Sequence, residues 1–292
     1  YQVAWLAQVT LLRGRWDEAA EAAQEVIGER RATPIARIMA LIALGRLRAR
    51  RGEAGVWPVL DEARELAQRT GAIQRLAPMH AARAEAAWLE GRTDEAAREA
   101  AACLPLARTK HHAGYVAELL AWLRRGGTEP SIPEACADHP CALEAAGRWR
   151  DAAEAWRALG CPYETARALA DGDEAARREA LTLLQPLDAR PLIERVHQRL
   201  RAAGVRGLPR GPRAATQAHP AGLTAKEVAV LALLASGLRN KEIAMRLSRS
   251  TRTVDHHLQA IFAKLGVATR SEAVGMAFRL GVAKPNVRQR PS

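Results

Sequence analysis

Three times in this chain a glycine is followed two residues later by a large or β-branched side chain and five residues later by an alanine: Gly14, Trp16 and Ala19; Gly91, Thr93 and Ala96; Gly147, Trp149 and Ala152. Gly52 with Trp57 is a weaker copy. Runs with helical periodicity precede the first three of these four glycines in chain order, through Val3, Leu6 and Val9, then Ile38, Leu41 and Ile42, then Ala84, Ala87 and Trp88. A glycine in that place lets the backbone reverse between antiparallel helices, and the small alanine lets the second helix lie close on the first. The unit is a helical hairpin. Hairpins that cannot bury a face alone stack into arrays.

The glycine-to-alanine offset resembles that of tetratricopeptide-type repeats. The spacing is looser than the 34 residues of that family, with 38 from Gly14 to Gly52, 39 from Gly52 to Gly91 and 56 from Gly91 to Gly147. The last interval needs an insertion or a further unit, and the stretch from Pro130 to Pro140 is the expected break. Short helices resume over 141–203, around Ala142, Tyr163, Asp173 and Pro191. All seven tryptophans precede residue 157, and their spread predicts packing between hairpins. An array of this kind is expected to offer a concave groove to a peptide or small ligand.

With 292 residues and few aromatics, the chain exceeds one compact core and favours helix over strand. The fold class expected is all-α. Charge is uneven: 27 basic against 28 acidic residues in 1–198, but 12 against 4 in 221–292. A basic C-terminal part calls for a polyanionic partner. Neither a basic amphipathic helix nor a lipid anchor is evident, the longest apolar runs are too short to span a bilayer, and no leader opens the chain. The expected location is the cytoplasm, with no membrane partner. Cys103, Cys136, Cys141 and Cys161 have no metal-ligand spacing and are expected as reduced thiols. Tyr1 falls inside an expected helix, as in a fragment of a longer protein.

Residues 204–220 hold glycines and prolines without apolar periodicity and read as a basic linker. Arg206, Arg210 and Arg213 serve there either as a solvated tether or as phosphate contacts. Beyond it, Thr224 and Glu227 form a capping box, with Leu223 placed to staple onto Val228 and an apolar period through Leu231 and Leu234. This helix starts at Ala225 and stops near Gly237. Asn240 is expected to cap a second helix that turns Ile243, Ala244 and Leu247 inward. After a turn at Ser248, Arg249 and Ser250, a third helix repeats Val254, Leu258, Ile261 and Leu265 on one face. Its other face shows Arg252, Asp255, His256, Gln259 and Ala263. Thr269 and Glu272 form a second capping box, opening a helix through Ala273, Ala277 and Leu280. Two short helices, a turn and a third helix with a polar outer face make a helix-turn-helix.

The combined order of Leu223-Thr224 and Glu227, Gly237, Asn240 with Glu242-Ile243-Ala244, Thr253-Val254 with His257, Lys264-Leu265-Gly266-Val267, and Arg270 with Glu272-Ala273 closely resembles the C-terminal domain of LuxR-type transcription regulators, over 221–283. The resemblance implies a four-helix domain that binds promoter DNA as a dimer through its last helix, Ala273 to Leu280. The expected organisation is a tetratricopeptide-like array (1–203), the linker (204–220), the DNA-binding domain (221–285) and a tail (286–292). Base reading is assigned to His256, Gln259, Asp255 and Arg252, and phosphate contact to Thr251, Thr253, Lys264, Asn240 and Lys241. Asp255 departs from the lysine the family often has there. An acid repels phosphate but accepts from cytosine N4, so either the target differs or Arg252 holds Asp255. His257 lies nearer the buried flank.

None of the five lysines sits in a phosphate-cradling glycine loop, and neither a zinc-protease nor a nucleophile-elbow motif occurs. The adjacent pair His111 and His112 diverges on a helix. No enzyme, cofactor or metal is therefore expected. The reading is a transcription regulator whose repeats receive a protein or small-molecule signal. Two others remain open: an interaction scaffold capped by the terminal helices, or the C-terminal part of an ATP-dependent regulator with its nucleotide domain upstream.

Overall fold

A computed structural model of the chain describes residues 1–205, 223, 225–247, 251–267 and 269–282; within these, the side chains of residues 225, 226, 252, 256 and 263 are not described. The described residues are helical, with no strand among them. They fall into two compact units, Tyr1–Arg206 and Gly207–Ser292. Thr224, the Ser248 to Ser250 turn, the linker arginines Arg206, Arg210 and Arg213, and the tail 286–292 lie outside the described residues.

The first unit runs α1 (Gln2–Leu12), α2 (Trp16–Gly28), α3 (Pro34–Arg51), α4 (Val56–Thr70), α5 (Ile73–Leu89), α6 (Thr93–Thr109), α7 (Ala113–Arg125), α8 (Pro140–Ala145), α9 (Trp149–Ala158), α10 (Pro162–Leu169), α11 (Glu174–Leu184) and α12 (Arg190–Ala202). The glycine pattern marks the reversals. Gly14, Gly52, Gly91 and Gly147 lie between the helices of the pairs α1/α2, α3/α4, α5/α6 and α8/α9, each with φ between 67° and 83°, a region that costs L side chains energy but not glycine. The long interval before Gly147 holds α7 and a single 3-10 turn, Glu134–Cys136. A hairpin absent from the pattern, α10/α11, reverses near Gly172.

Burial separates inner from outer helices. In α2, α4 and α6 only one stripe is buried, whereas α3 and α5 bury residues around most of their circumference. The reason is that the chain returns over their inner face. Arg50 of α3 donates to Glu164 of α10 at 2.8 Å and lies 4.1 Å over the Tyr163 ring, and Arg195 of α12 donates to the Trp88 carbonyl of α5 at 2.9 Å. Two turn glycines also permit this return: a Cβ on Gly14 would stand 2.7 Å from the Pro162 ring, and one on Gly52 3.1 Å from Pro191. The open groove expected from the repeat pattern is thus occupied at α3 and α5 by the chain's own later helices. The tryptophans divide likewise: Trp16, Trp88, Trp122 and Trp156 are buried, while Trp5 is 51% exposed on α1. The four cysteines are buried free thiols, and burial raises the Cys103 thiol to about 11.

Ion pairs hold the returning helices. Glu85 accepts from Arg50 at 2.7 Å. Glu144 of α8 accepts from Arg125 of α7 at 2.5 Å, Arg167 of α10 at 2.8 Å and the Trp156 indole at 2.7 Å. A buried carboxylate is tolerated only with such partners. Burial alone would raise the Glu144 pKa, but the two guanidiniums outweigh it and hold the group at about 2, against an ordinary 4.5. A carboxylate so depressed contributes stability above its unfolded pKa, and that contribution disappears as pH falls from about 4.5 through about 2. We expect Glu144→Gln to destabilise the first unit by about 3 kcal/mol at neutral pH and to flatten this acid limb. Denaturant melts of both proteins between neutral pH and pH ~2 check it.

Candidate nucleic-acid interface

The second unit has its own apolar centre. Its helices are α13 (Ala225–Ala235), α14 (Asn240–Arg246), α15 (Thr251–Leu265) and α16 (Arg270–Arg279). Leu231 and Leu234 of α13, Ile243 and Ala244 of α14, Val254, Leu258 and Ile261 of α15, and Ala273 and Ala277 of α16 form one buried cluster with Leu223. Leu265 and Val228 pack at its edge, and Val230, absent from the expected period, is buried in it. Intervals of four and three along α15 place its three buried residues on one side of a 3.6-residue helix.

The opposite side of α15 meets water. Asp255 and Gln259 are exposed there, as is Thr251 at the helix start, while Thr253 and His257 are half-buried. The backbone places Arg252 and His256 on the same helix, but their side chains lie outside the described ones. Lys241, Arg239 and Arg246 are exposed on and beside α14.

Asp255 is held by α14. Its Oδ1 accepts from the Asn240 side-chain amide at 2.8 Å. Asn240 Oδ1 in turn accepts from Arg270 at 3.0 Å, and Arg270 also donates to the Leu238 carbonyl at 2.5 Å. One polar chain therefore ties α15, α14 and α16 together at the base of the polar face. Sequence reasoning missed Arg270 in this role, because its partners lie 30 and 32 residues away.

One expected assignment is corrected here. Asn240 does not cap α14: it is the first helical residue, Arg239 precedes the helix, and the backbone N–H of Arg239 is satisfied by Glu242 at 2.6 Å from inside the first turn. The Asn240 side chain, expected at phosphate, has partners within the domain, Asp255 and Arg270. Lys264, also assigned to phosphate, points its ammonium at Glu227 of α13, 2.7 and 2.9 Å from the two carboxylate oxygens. Glu227 is 5% exposed, so the lysine neutralises a buried charge within the domain. The second capping box is present, with Thr269 Oγ1 accepting from the Glu272 N–H and the Glu272 carboxylate accepting from the Thr269 N–H, each at 3.2 Å. Ala273 and Ala277, the centre of the expected dimer contact, are fully buried in the domain's own core. Away from that core α16 carries Ser271 and Arg279, both exposed, with Gly275 half-buried between them on the same side, where an added Cβ would meet nothing within 4 Å.

Among the described residues no group of three or more His, Cys, Asp or Glu could hold a metal ion, and no helix is long and apolar enough to cross a membrane.

Because Lys264 is partly exposed, Lys264→Ala is expected to cost about 1 to 3 kcal/mol of domain stability, the order for removing one charged hydrogen-bond partner of a buried carboxylate. Thermal melts check this, with Lys264→Arg retaining most of the stability.

Comparisons with known proteins match this same part of the chain. A family model described as "Bacterial regulatory proteins, luxR family" matches residues 221–277. The transcriptional regulatory protein YdfI of Bacillus subtilis is 48% identical over 60 residues, which are 20% of this chain and 28% of that protein. The putative HTH-type transcriptional regulator Rv0890c of Mycobacterium tuberculosis is 48% identical over 59 residues, 20% of this chain and 7% of its own length. The DNA-binding transcriptional activator DevR/DosR of the same organism is 39% identical over 64 residues, 22% of this chain and 30% of that one. The chain thus spans under a third of the length of these relatives. No solved structure matches it.

Proposed function

Since the C-terminal part of this chain is a LuxR-family helix-turn-helix domain, we propose that the chain is a transcription regulator that reads promoter DNA with the outer face of α15 and receives a protein or small-molecule signal on its helical repeats. The observation that carries this reading is the division of α15. Val254, Leu258 and Ile261 are locked into the core, which turns Asp255 and Gln259 outward on a helix of a width that enters the major groove.

On this reading Gln259 pairs with adenine, and Asp255 offers its carboxylate to cytosine N4, held at the required angle by Asn240. Arg252 and His256, from the same helix, supply the remaining base contacts. Thr251, Thr253 and Lys241 approach phosphate, joined by Arg206, Arg210 and Arg213 of the linker. Such contacts position the domain without reading sequence. The protein works as a dimer in the bacterial cytoplasm, where promoters are; its contact is the side of α16 with Ser271, Gly275 and Arg279, because Ala273 and Ala277 are committed to the core. The first unit acts as a receiver and not as an enzyme.

A site selected from random duplex DNA, followed by binding titrations over a range of salt, tests the proposal. Affinity is expected to fall linearly with salt on a logarithmic scale, and Lys241→Ala to lower that slope by about 1 with an unchanged melt. Gln259→Ala is expected to fold normally and to lose about 1 to 3 kcal/mol of discrimination at one base pair. A Gln259→Ala protein that melts early yet keeps its site preference would mean that another face of the helix reads the DNA. No binding at low salt overturns the proposal as a whole.

A further inference from the structure

We propose that a cleft in the first unit, between α5, α7, α9, α11 and α12, binds a small phosphorylated molecule. This rests on the reading above that the first unit receives a signal, and it names the site and the chemistry of that signal. The cleft has a volume of about 370 Å³, within the range of small-molecule sites and far below what a duplex needs. Five arginines line it, Arg124 and Arg125 from α7, Arg177 from α11, and Arg195 and Arg199 from α12, against two acids, Glu144 and Asp171.

The acids are already committed. Glu144 is shared between Arg125 and Arg167, and Asp171 accepts from Arg125 at 2.9 Å and from Arg199 at 2.5 Å. Arg195 has no carboxylate within ion-pair distance among the described residues. It donates to the Trp88 carbonyl and lies 4.1 Å over the Trp88 indole. Its burial, with Arg199 and Arg125 beside it, pulls its guanidinium below the ordinary value, so a bound anion would relieve a local excess of positive charge. Among the described residues the Arg177 side chain is tied only by a long 3.4 Å contact to the Ala170 carbonyl.

Several guanidinium forks converging on one cleft suit phosphate, whose oxygens accept paired N–H donors, better than a single carboxylate. The surplus of three positive charges over the two acids matches a di- or trianion. Trp149, half-buried and backed by Gly172, where a Cβ would stand 2.9 Å from its ring, has the exposed Arg150 guanidinium 4.6 Å over that ring and gives a flat wall to a planar group that displaces it. The placement also supplies a route to the reader. Arg195 and Arg199 belong to α12, which ends at Ala202, so an anion that gathers these two side chains orders the last helix before the linker.

Calorimetric titration of the full chain with inorganic pyrophosphate, AMP and citrate, on the parent protein and on Arg177→Gln, Arg195→Gln and Lys241→Gln, tests the site. Saturable one-to-one binding of a phosphate compound is expected, weakened roughly tenfold or more by Arg177→Gln and by Arg195→Gln and kept by Lys241→Gln. Stronger AMP than pyrophosphate binding assigns the flat wall to a base; the reverse assigns the site to phosphate alone. Arg177→Gln keeps the test valid if loss of the Arg195 contacts to Trp88 impairs folding. Binding that survives Arg177→Gln but fails in Lys241→Gln, citrate binding as tight as either phosphate compound, or no saturable binding overturns the site. DNA affinity measured on the same samples separates the two claims: a phosphate compound that binds the cleft and leaves DNA affinity and oligomeric state unchanged sustains the site and removes the signal-receiving reading.

Discussion

A four-helix domain of this size has room for one core, and α15 contributes Val254, Leu258 and Ile261 to it. That commitment determines everything on the other side of the helix. A rotation of α15 by one residue, about 100° in a 3.6-residue helix, would withdraw Val254 from the cluster and bury an acid or an amide in its place, at a cost of several kcal/mol. The reading face is therefore an outcome of packing on the opposite face. The Lys264 to Glu227 pair reinforces the same rotation from the C-terminal end of α15, and the Asp255, Asn240 and Arg270 chain reinforces it from the N-terminal end.

The first unit solves a different problem. Helical hairpins leave an inner face, and here α10 and α12 return across it. The contacts they make there are charged as well as apolar: Arg50 with Glu85 and Glu164, Arg125 and Arg167 with Glu144. Buried ion pairs contribute little net stability, but the loss of one partner is costly. The arrangement consequently specifies which helix returns to which place, and it leaves a cleft at its edge where arginines outnumber acids. In the second unit the same residue types stand in water on and beside α14, where screening weakens them and a polyanion has access.

Local features were legible in the sequence. The Thr269 and Glu272 capping box needs partners only three residues apart, and the apolar period of α15 needs only the helix geometry. The hairpin glycines were legible because a left-handed turn admits few other residues. What escaped depends on distant partners. The Lys264 to Glu227 pair was not legible, since the two residues stand 37 apart in the chain. Asn240 looked like a cap by residue type, yet Glu242 satisfies the backbone from within the helix and frees the amide for Asp255. Ala273 and Ala277 have the small size of an interface stripe, which is equally the size that lets α16 sit close on α13. The return of α10 and α12 left only Pro162 and Pro191 as traces, and a proline does not announce which glycine it will meet.

Amide chemical-shift mapping of the isotope-labelled chain, titrated with its selected duplex, tests the central claim most directly. The account predicts perturbations concentrated along α15 from Thr251 to Gln259 and at the start of α14 around Lys241, with the side of α16 at Gly275 and Arg279 responding only to dimer formation. Perturbations concentrated on α13 or on the first unit, with α15 unmoved, would contradict it.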